Sequence, residues 1–335
     1  PEGIFLNTSF YTARAMASEF LIDEYTVRIN RVMDYIVQHC AEDLALDDLA
    51  KVAYFSKFHF LRIFRSMTGE TVYDFIRRMR LQKAAHLLVF DRRRSITDIG
   101  LSCGFSSSQN FAKAFKLHFS VSPSDFRARR DFRDPSFYQS NPGNVTSNSG
   151  NQDGNRGEES DEEVGYISQR KRLHTTQPIK QGVAMNIAVK NIPEMKVAYF
   201  RAIGKYGPET VGPAFQKLMQ WAGPRGLFSA SPAIIGVSWD NPDITPLEKC
   251  RYDACITVSD DFCAQGGASV QVIPGGTCAV YHCEVKNGDF NGRWMELMRD
   301  WLPTSGYQPD DRPCYERYYN DDGNQPGKAW ICDLV

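Results

Sequence analysis

The chain has 335 residues, more than one ordinary core accommodates, so two domains and a connecting segment are expected. With 42% hydrophobic and 24% charged residues the composition is that of a globular protein, and no run of about 18 apolar residues offers a membrane span. The net charge of −1 conceals an imbalance: residues 26–133 hold 19 Lys and Arg against 11 Asp and Glu, a balance of +8, and the rest sums to −9, so a polyanionic partner is expected for the first region alone.

Residues 1–25 carry little pattern and read as an N-terminal extension, without the basic start and apolar stretch of a secretory signal. From 26 to 133 apolar residues recur at helical spacing, through Val32, Ile36 and Val37 and again through Phe75, Ile76, Met79, Leu81, Leu87 and Leu88. Within this region the stretch Leu49–Ser56 repeats as Ile99–Ser106 at an offset of 50. After one inserted residue the offset becomes 51, matching Arg62 with Lys113, Phe64 with Phe115 and Arg65 with Lys116. Each copy reads as a helix, a tight turn at 54 or 104 where Gly104 suits a positive φ, an N-cap at Ser56 or Ser106, and a second helix. The second helices bury Phe60 and Phe64, or Phe111 and Phe115. Their other faces carry Lys57, His59, Arg62 and Arg65, or Ser107, Ser108, Gln109, Asn110, Lys113 and Lys116, the residue types that reach phosphates and base edges. Val72 to Phe90 reads as one connecting helix about 28 Å long, close to the roughly 34 Å between successive major-groove faces. One chain is thus expected to read two adjacent major grooves of an asymmetric double-stranded site.

Residues 26–133 resemble the DNA-binding domain of the AraC/XylS family. The stretch from Ile96 through Gly104-Phe105 and Ser122-Pro123 to Arg127 is similar to its signature, and Tyr54 departs from the usual glycine. The resemblance places Phe58, His59, Leu61 and Arg62, and Ser108, Gln109, Asn110 and Lys113, against DNA; Leu61 is a poor hydrogen-bonder, so the first helix is expected to read a thymine methyl or mostly phosphates.

Residues 134–184 read as a flexible linker, rich in Asn, Ser, Gly, Asp and Glu as far as Val164 and carrying the basic run Arg170-Lys171-Arg172. Residues 185–335 contain a second repeat. Val189–Pro193 matches Val270–Pro274 at an offset of 81, Gly226 matches Gly306, and Trp239–Pro242 aligns with Tyr319–Asp322. Strands are expected at Ala233–Trp239, Ala254–Val258, Ala279–Cys283 and Trp330–Val335, and helices at Phe215–Trp221 and Trp294–Trp301. Each half reads as a β-α-β-β unit, the two related by a pseudo-two-fold axis with a ligand cleft between facing sheets.

This half resembles the GyrI-like effector-binding domain over Ile234–Val258, Val270–Tyr281 and Asp311–Asp322, departing in the loop Lys286–Arg293. The fold class expected is therefore multi-domain: an all-α double helix-turn-helix domain followed by an α+β GyrI-like domain, an arrangement that resembles regulators of the Rob type but with the DNA module first and a longer linker. The resemblance implies a hydrophobic, cationic or amphiphilic effector and multidrug sensing, with Glu316 in the pocket. Trp239, Tyr281, Trp294 and Tyr318 are its candidate aromatic partners, since a carboxylate among rings suits a lipophilic cation. A protein-docking role for this domain, or hydrolysis with Glu316 as base or nucleophile, are the alternatives.

RNA polymerase is an expected further partner, and no cofactor or membrane contact is expected. No Ser/His/Asp set, metal cluster or phosphate loop marks an enzyme, and His282 has no evident carboxylate partner. The nine cysteines lack zinc spacing and read as reduced thiols of a cytoplasmic protein, with a redox pair as the alternative. His39 and His118 read as ordinary surface or packing residues.

Overall fold

The computed structural model describes residues 6–129 and 185–335, apart from positions 243, 311, 322, 324 and 326. The expected linker and its basic run lie outside the described residues.

Seven helices form the first module: α1 (Leu6–His39), α2 (Leu46–Val52), α3 (Lys57–Thr68), α4 (Val72–Phe90), α5 (Ile96–Ser102), α6 (Ser108–Phe119) and α7 (Pro123–Arg129). The boundary expected at residue 26 falls inside α1, so the helix continues through much of the supposed extension. The connecting helix α4 has the extent read from the sequence. Thr71 caps it, accepting from the Asp74 amide while its hydroxyl donates to the Asp74 carboxylate at 2.6 Å. The early turns of α4 pack with α1, α2 and α3 around Val32, Leu49, Phe60, Phe64 and Phe75. Its later turns pack with α5, α6 and α7 around Leu88, Ile99, Phe111, Phe115 and Phe126. One rigid helix therefore carries two separate helix-turn-helix cores.

The second module is one antiparallel sheet of eight strands: β1 (Ile187–Ile192), β2 (Met195–Ile203), β3 (Ile234–Ser238), β4 (Arg251–Thr257), β5 (Ser269–Ile273), β6 (Gly276–Lys286), β7 (Cys314–Tyr318) and β8 (Ala329–Leu334). Their order is β1-β6-β8-β7-β3-β4-β2-β5. The halves meet where β3 pairs with β7. Each half has one strand more than the β-α-β-β expected, and that first strand is exchanged: β1 pairs with β6 of the second half, and β5 with β2 of the first. The halves therefore share one continuous sheet rather than two facing ones. Its inner face is covered by α8 (Pro208–Ala222) in the first half. In the second half it is covered by α9 (Phe290–Met295), a π-turn at Glu296–Trp301 and α10 (Leu302–Ser305).

The two modules touch along α1 and α4. Arg201 on the outer sheet face pairs with Asp34 of α1 at 2.9 Å, and Lys217 pairs with Asp23 at 2.7 Å. Gln82 of α4 donates to Thr245 at 2.6 Å, and Ile244, Met298, Trp301 and Leu302 pack onto the second helical core.

Candidate functional site

Two arrangements stand out, one in each module. In the first, the turn before each second helix needs a left-handed residue. Gly104 supplies φ 87, and Tyr54 adopts φ 55 in spite of its side chain. Arg28 donates to the Tyr54 carbonyl at 2.9 Å and the Arg31 guanidinium lies 5.2 Å from its ring centroid, so the departure from glycine leaves the turn geometry intact.

Both second helices are amphipathic, with Phe60 and Phe64, or Phe111 and Phe115, fully buried. Lys57, Phe58, His59, Arg62 and Arg65 are exposed on α3, and Gln109, Asn110, Lys113 and Lys116 on α6. Phe58 is 81% exposed, a cost in apolar surface that a packing role does not explain. Lys57 pairs with Asp47 at 3.0 Å, and His59 lies against the Phe55 ring. Three expectations shift. Leu61 is half-buried against the helical core. The cap of α6 is Ser107, which accepts from the Asn110 amide at 3.1 Å, while Ser106 accepts from the Asn110 side chain. Ser108 is half-buried behind it. The cap moves by one because the inserted residue precedes the helix rather than lying within it.

In the second module Glu316 sits on β7, only 6% exposed, directly opposite Gly236 of β3. Trp294 Nε1 donates to one carboxylate oxygen at 2.9 Å. The hydroxyls of Tyr252 and Tyr318 donate to the other at 2.9 and 2.7 Å. Burial pushes the carboxyl pKa up, and the bonds from Trp294, Tyr318 and Tyr252 only partly offset this. Burial and the neighbouring carboxylate hold both phenols far above their ordinary pKa, so they remain donors. Among the described residues no cationic side chain forms an ion pair with Glu316. Phe215 of α8 meets the Tyr318 ring edge-on at 5.5 Å, and Phe290 of α9 at 6.1 Å. Glu316 thus lies at the floor of an aromatic-walled cleft between α8 and α9.

Trp294 and Tyr318 are where the sequence reading put them. Trp239 is not. It projects from the outer sheet face and donates to Asp253 at 2.6 Å, because strand alternation sets it opposite to Gly236. Tyr281 faces inward but two strands away from Glu316, donating to Glu296 at 2.6 Å beneath the helix. Tyr252 was missed. The strand read as Ala254–Val258 begins at Arg251, and two more residues bring Tyr252 onto the inner face. The signal was Gly236, since glycine inside a strand marks a close approach. A Cβ there would lie 1.8 Å from the Tyr252 hydroxyl.

His282 does have a carboxylate partner: Asp333 lies opposite it and 2.8 Å away, on the outer face and turned away from Glu316. His39 likewise pairs with Glu42 at 2.9 Å. The cysteines are unbridged, with the Cys283 and Cys332 sulfurs 3.9 Å apart across β6 and β8.

Residues 185–335 match the family of GyrI-like small molecule binding domains, and residues 49–129 match a helix-turn-helix domain family. The SPbeta prophage protein YosT of Bacillus subtilis (strain 168), named as a transcriptional regulator, is 34% identical over 40% of this chain and 89% of its own length. The chain belongs to the GyrI-like family, here joined to an AraC-type helix-turn-helix domain. Another GyrI-like relative, a DNA gyrase inhibitor of Erwinia billingiae (strain Eb661), is 34% identical over 45% of this chain and 95% of its own. Among solved structures, an AraC-type regulator from Chromobacterium violaceum is 29% identical over 30% of this chain and 90% of its own, with a TM-score of 0.29. The GyrI-like region carries the Glu316 cleft, and the helix-turn-helix region carries both exposed helices.

Proposed function

We propose that this DNA-binding regulator takes a lipophilic cation between α8 and α9, with Glu316 as its counter-charge. The observation that carries the reading is the buried carboxylate held only by neutral donors. Such a group is costly to ionise alone and gains most from a cation that brings its own apolar surface. Phe215, Phe290, Trp294, Tyr252 and Tyr318 offer ring faces and edges to that surface.

On the DNA side, Arg62, Arg65, Lys113 and Lys116 supply phosphate contacts, while Phe58, His59, Gln109 and Asn110 face the bases. The exposure of both faces on one chain supports reading of two successive major grooves in an asymmetric site, by a module at 26–133 tethered to an effector module at 185–335. RNA polymerase is the partner through which such a bound regulator acts.

The test is a titration of the full chain with tetraphenylphosphonium and with neutral triphenylphosphine oxide, following tryptophan fluorescence, beside Glu316→Gln. Saturable binding of the cation, at least about tenfold tighter than the neutral compound and lost in the variant, is the expected result. Equal binding of both compounds by both proteins overturns the counter-charge role.

A further inference from the structure

The strand β4 carries consecutive residues that serve the two modules. Tyr252 points inward and donates to Glu316 at 2.9 Å. Its neighbours Arg251 and Asp253 point outward. Arg251 donates to the two Asp240 oxygens at 2.8 and 3.0 Å, and its guanidinium lies 5.6 Å from the Phe75 ring centroid of α4. Asp240 is in turn 3.9 Å from Arg78 of α4, which pairs with Glu70 at 2.6 Å, and Lys249 reaches Glu70 at 3.5 Å. Asp253 accepts two bonds of 2.7 Å from Arg201, which pairs with Asp34 of α1 at 2.9 Å, and Tyr199 also donates to Asp34. The Tyr206 hydroxyl lies 2.9 Å from both the Asp240 and the Arg251 carbonyl, its one proton shared between them, with its ring edge-on to Tyr252 at 5.8 Å.

Buried ion pairs return little net stability once desolvation is charged against them, so so dense a network is better suited to fixing one arrangement than to strengthening it. Arg78, Arg201 and Arg251 each also keep one buried Nη1 without an acceptor among the described residues. The docked module leaves Arg62 and Lys113 exposed, so it does not mask the reading faces. It bridges both helical cores instead, through Phe75 and Arg78 at one and Leu302 at the other.

We propose that β4 couples the cleft to the DNA module: an effector that draws Glu316 away from Tyr252 shifts the strand and slackens the grip of Arg251 and Asp253 on α4 and α1. This rests on the cleft being the effector site, and it assigns the regulation of that site. Linkage makes the coupling reciprocal, so DNA that reorients the two cores alters effector affinity by the same factor.

Amide hydrogen exchange of the full chain tests it. Tyr252→Phe and Tyr318→Phe each remove one hydroxyl bond to Glu316 and, alike, the 3.0 Å contact between the two hydroxyls, but only the first lies on β4; Asp240→Asn breaks the outer contact directly. Exchange in α4 around Phe75 to Gln82, and in α1 around Asn30 to Val37, is expected to quicken about fivefold or more in Tyr252→Phe and Asp240→Asn and to stay at the native rate in Tyr318→Phe. Native exchange in Tyr252→Phe, equal acceleration by both tyrosine variants, or no response to Asp240→Asn each overturns the coupling. Tetraphenylphosphonium is added to the native chain in parallel. Binding without a change in α1 and α4 also overturns the coupling. Failure to bind counts against the cation reading alone, and the tyrosine pair still decides the coupling.

Discussion

Gly236 and Glu316 face each other across the strand pair that joins the two halves of the sheet, and the Tyr252 hydroxyl fills the space above the glycine to reach the carboxylate. Gly236→Ala puts a methyl into that hydroxyl. It is expected to cost about 1–3 kcal/mol in chemical denaturation and to shift the Trp294 emission, because the carboxylate and its donors move together. Part of the loss should return in the double variant with Tyr252→Phe, where the clashing oxygen is gone.

Cation affinity should depend on pH through Glu316. Its pKa is raised by burial, so the folded protein holds this proton more tightly than the unfolded chain and ionisation is completed only above the ordinary carboxylate range. Tetraphenylphosphonium should therefore bind more tightly as the pH rises above the ordinary carboxylate range, and Glu316→Gln should bind weakly and evenly across the same pH series. Fluorescence titrations at stepped pH provide the check. Stability runs the other way: the cost of ionising the buried Glu316 is absent below the ordinary carboxylate pKa and grows as pH rises from that value to the raised one.

Arg62→Ala and Lys113→Ala should each weaken binding to a selected operator by about 1–3 kcal/mol and flatten the salt dependence by about one ion. Leu61→Ala should behave differently, losing thermal stability while keeping much of its DNA affinity, since Leu61 packs against the helical core. Gel shifts at two salt concentrations beside melting curves separate the two classes.

His118 on α6 has its pKa lowered to about 4, first by burial and then by the charges of Arg78, Lys249 and Arg77. The unfolded chain takes up a proton near the ordinary histidine value of 6.5, which the folded protein resists. Stability should thus fall as pH drops from about 6.5 towards about 4. His118→Gln should lose part of that acid sensitivity in denaturation midpoints measured across the window.

The helical module was legible almost throughout because its signals are local. Buried phenylalanines one turn apart, a capped start at Thr71 and a repeated turn fix α3, α4 and α6 without reference to the rest of the chain. The cleft was only partly legible. Glu316, Trp294 and Tyr318 were found, but Trp239 was placed on the wrong face and Tyr252 was omitted, because a face is set by strand register and one residue of slip inverts it. Asp333 beside His282 was invisible for a related reason: the pairing spans 51 positions and is made by the sheet, not by the sequence around either residue. The ion-pair contacts between the modules have no local signature at all.

The exchange of β1 and β5 between the halves has a consequence for the order of events during synthesis. β1 emerges from the ribosome about ninety residues before β6, the strand it must lie against, so it has no neighbour in its own half to hold it while it waits. The two halves join only when β7 has been made, since it is the strand that pairs with β3. A chain interrupted between Val258 and Ser269 would present two open-edged fragments, each missing the strand that the other carries.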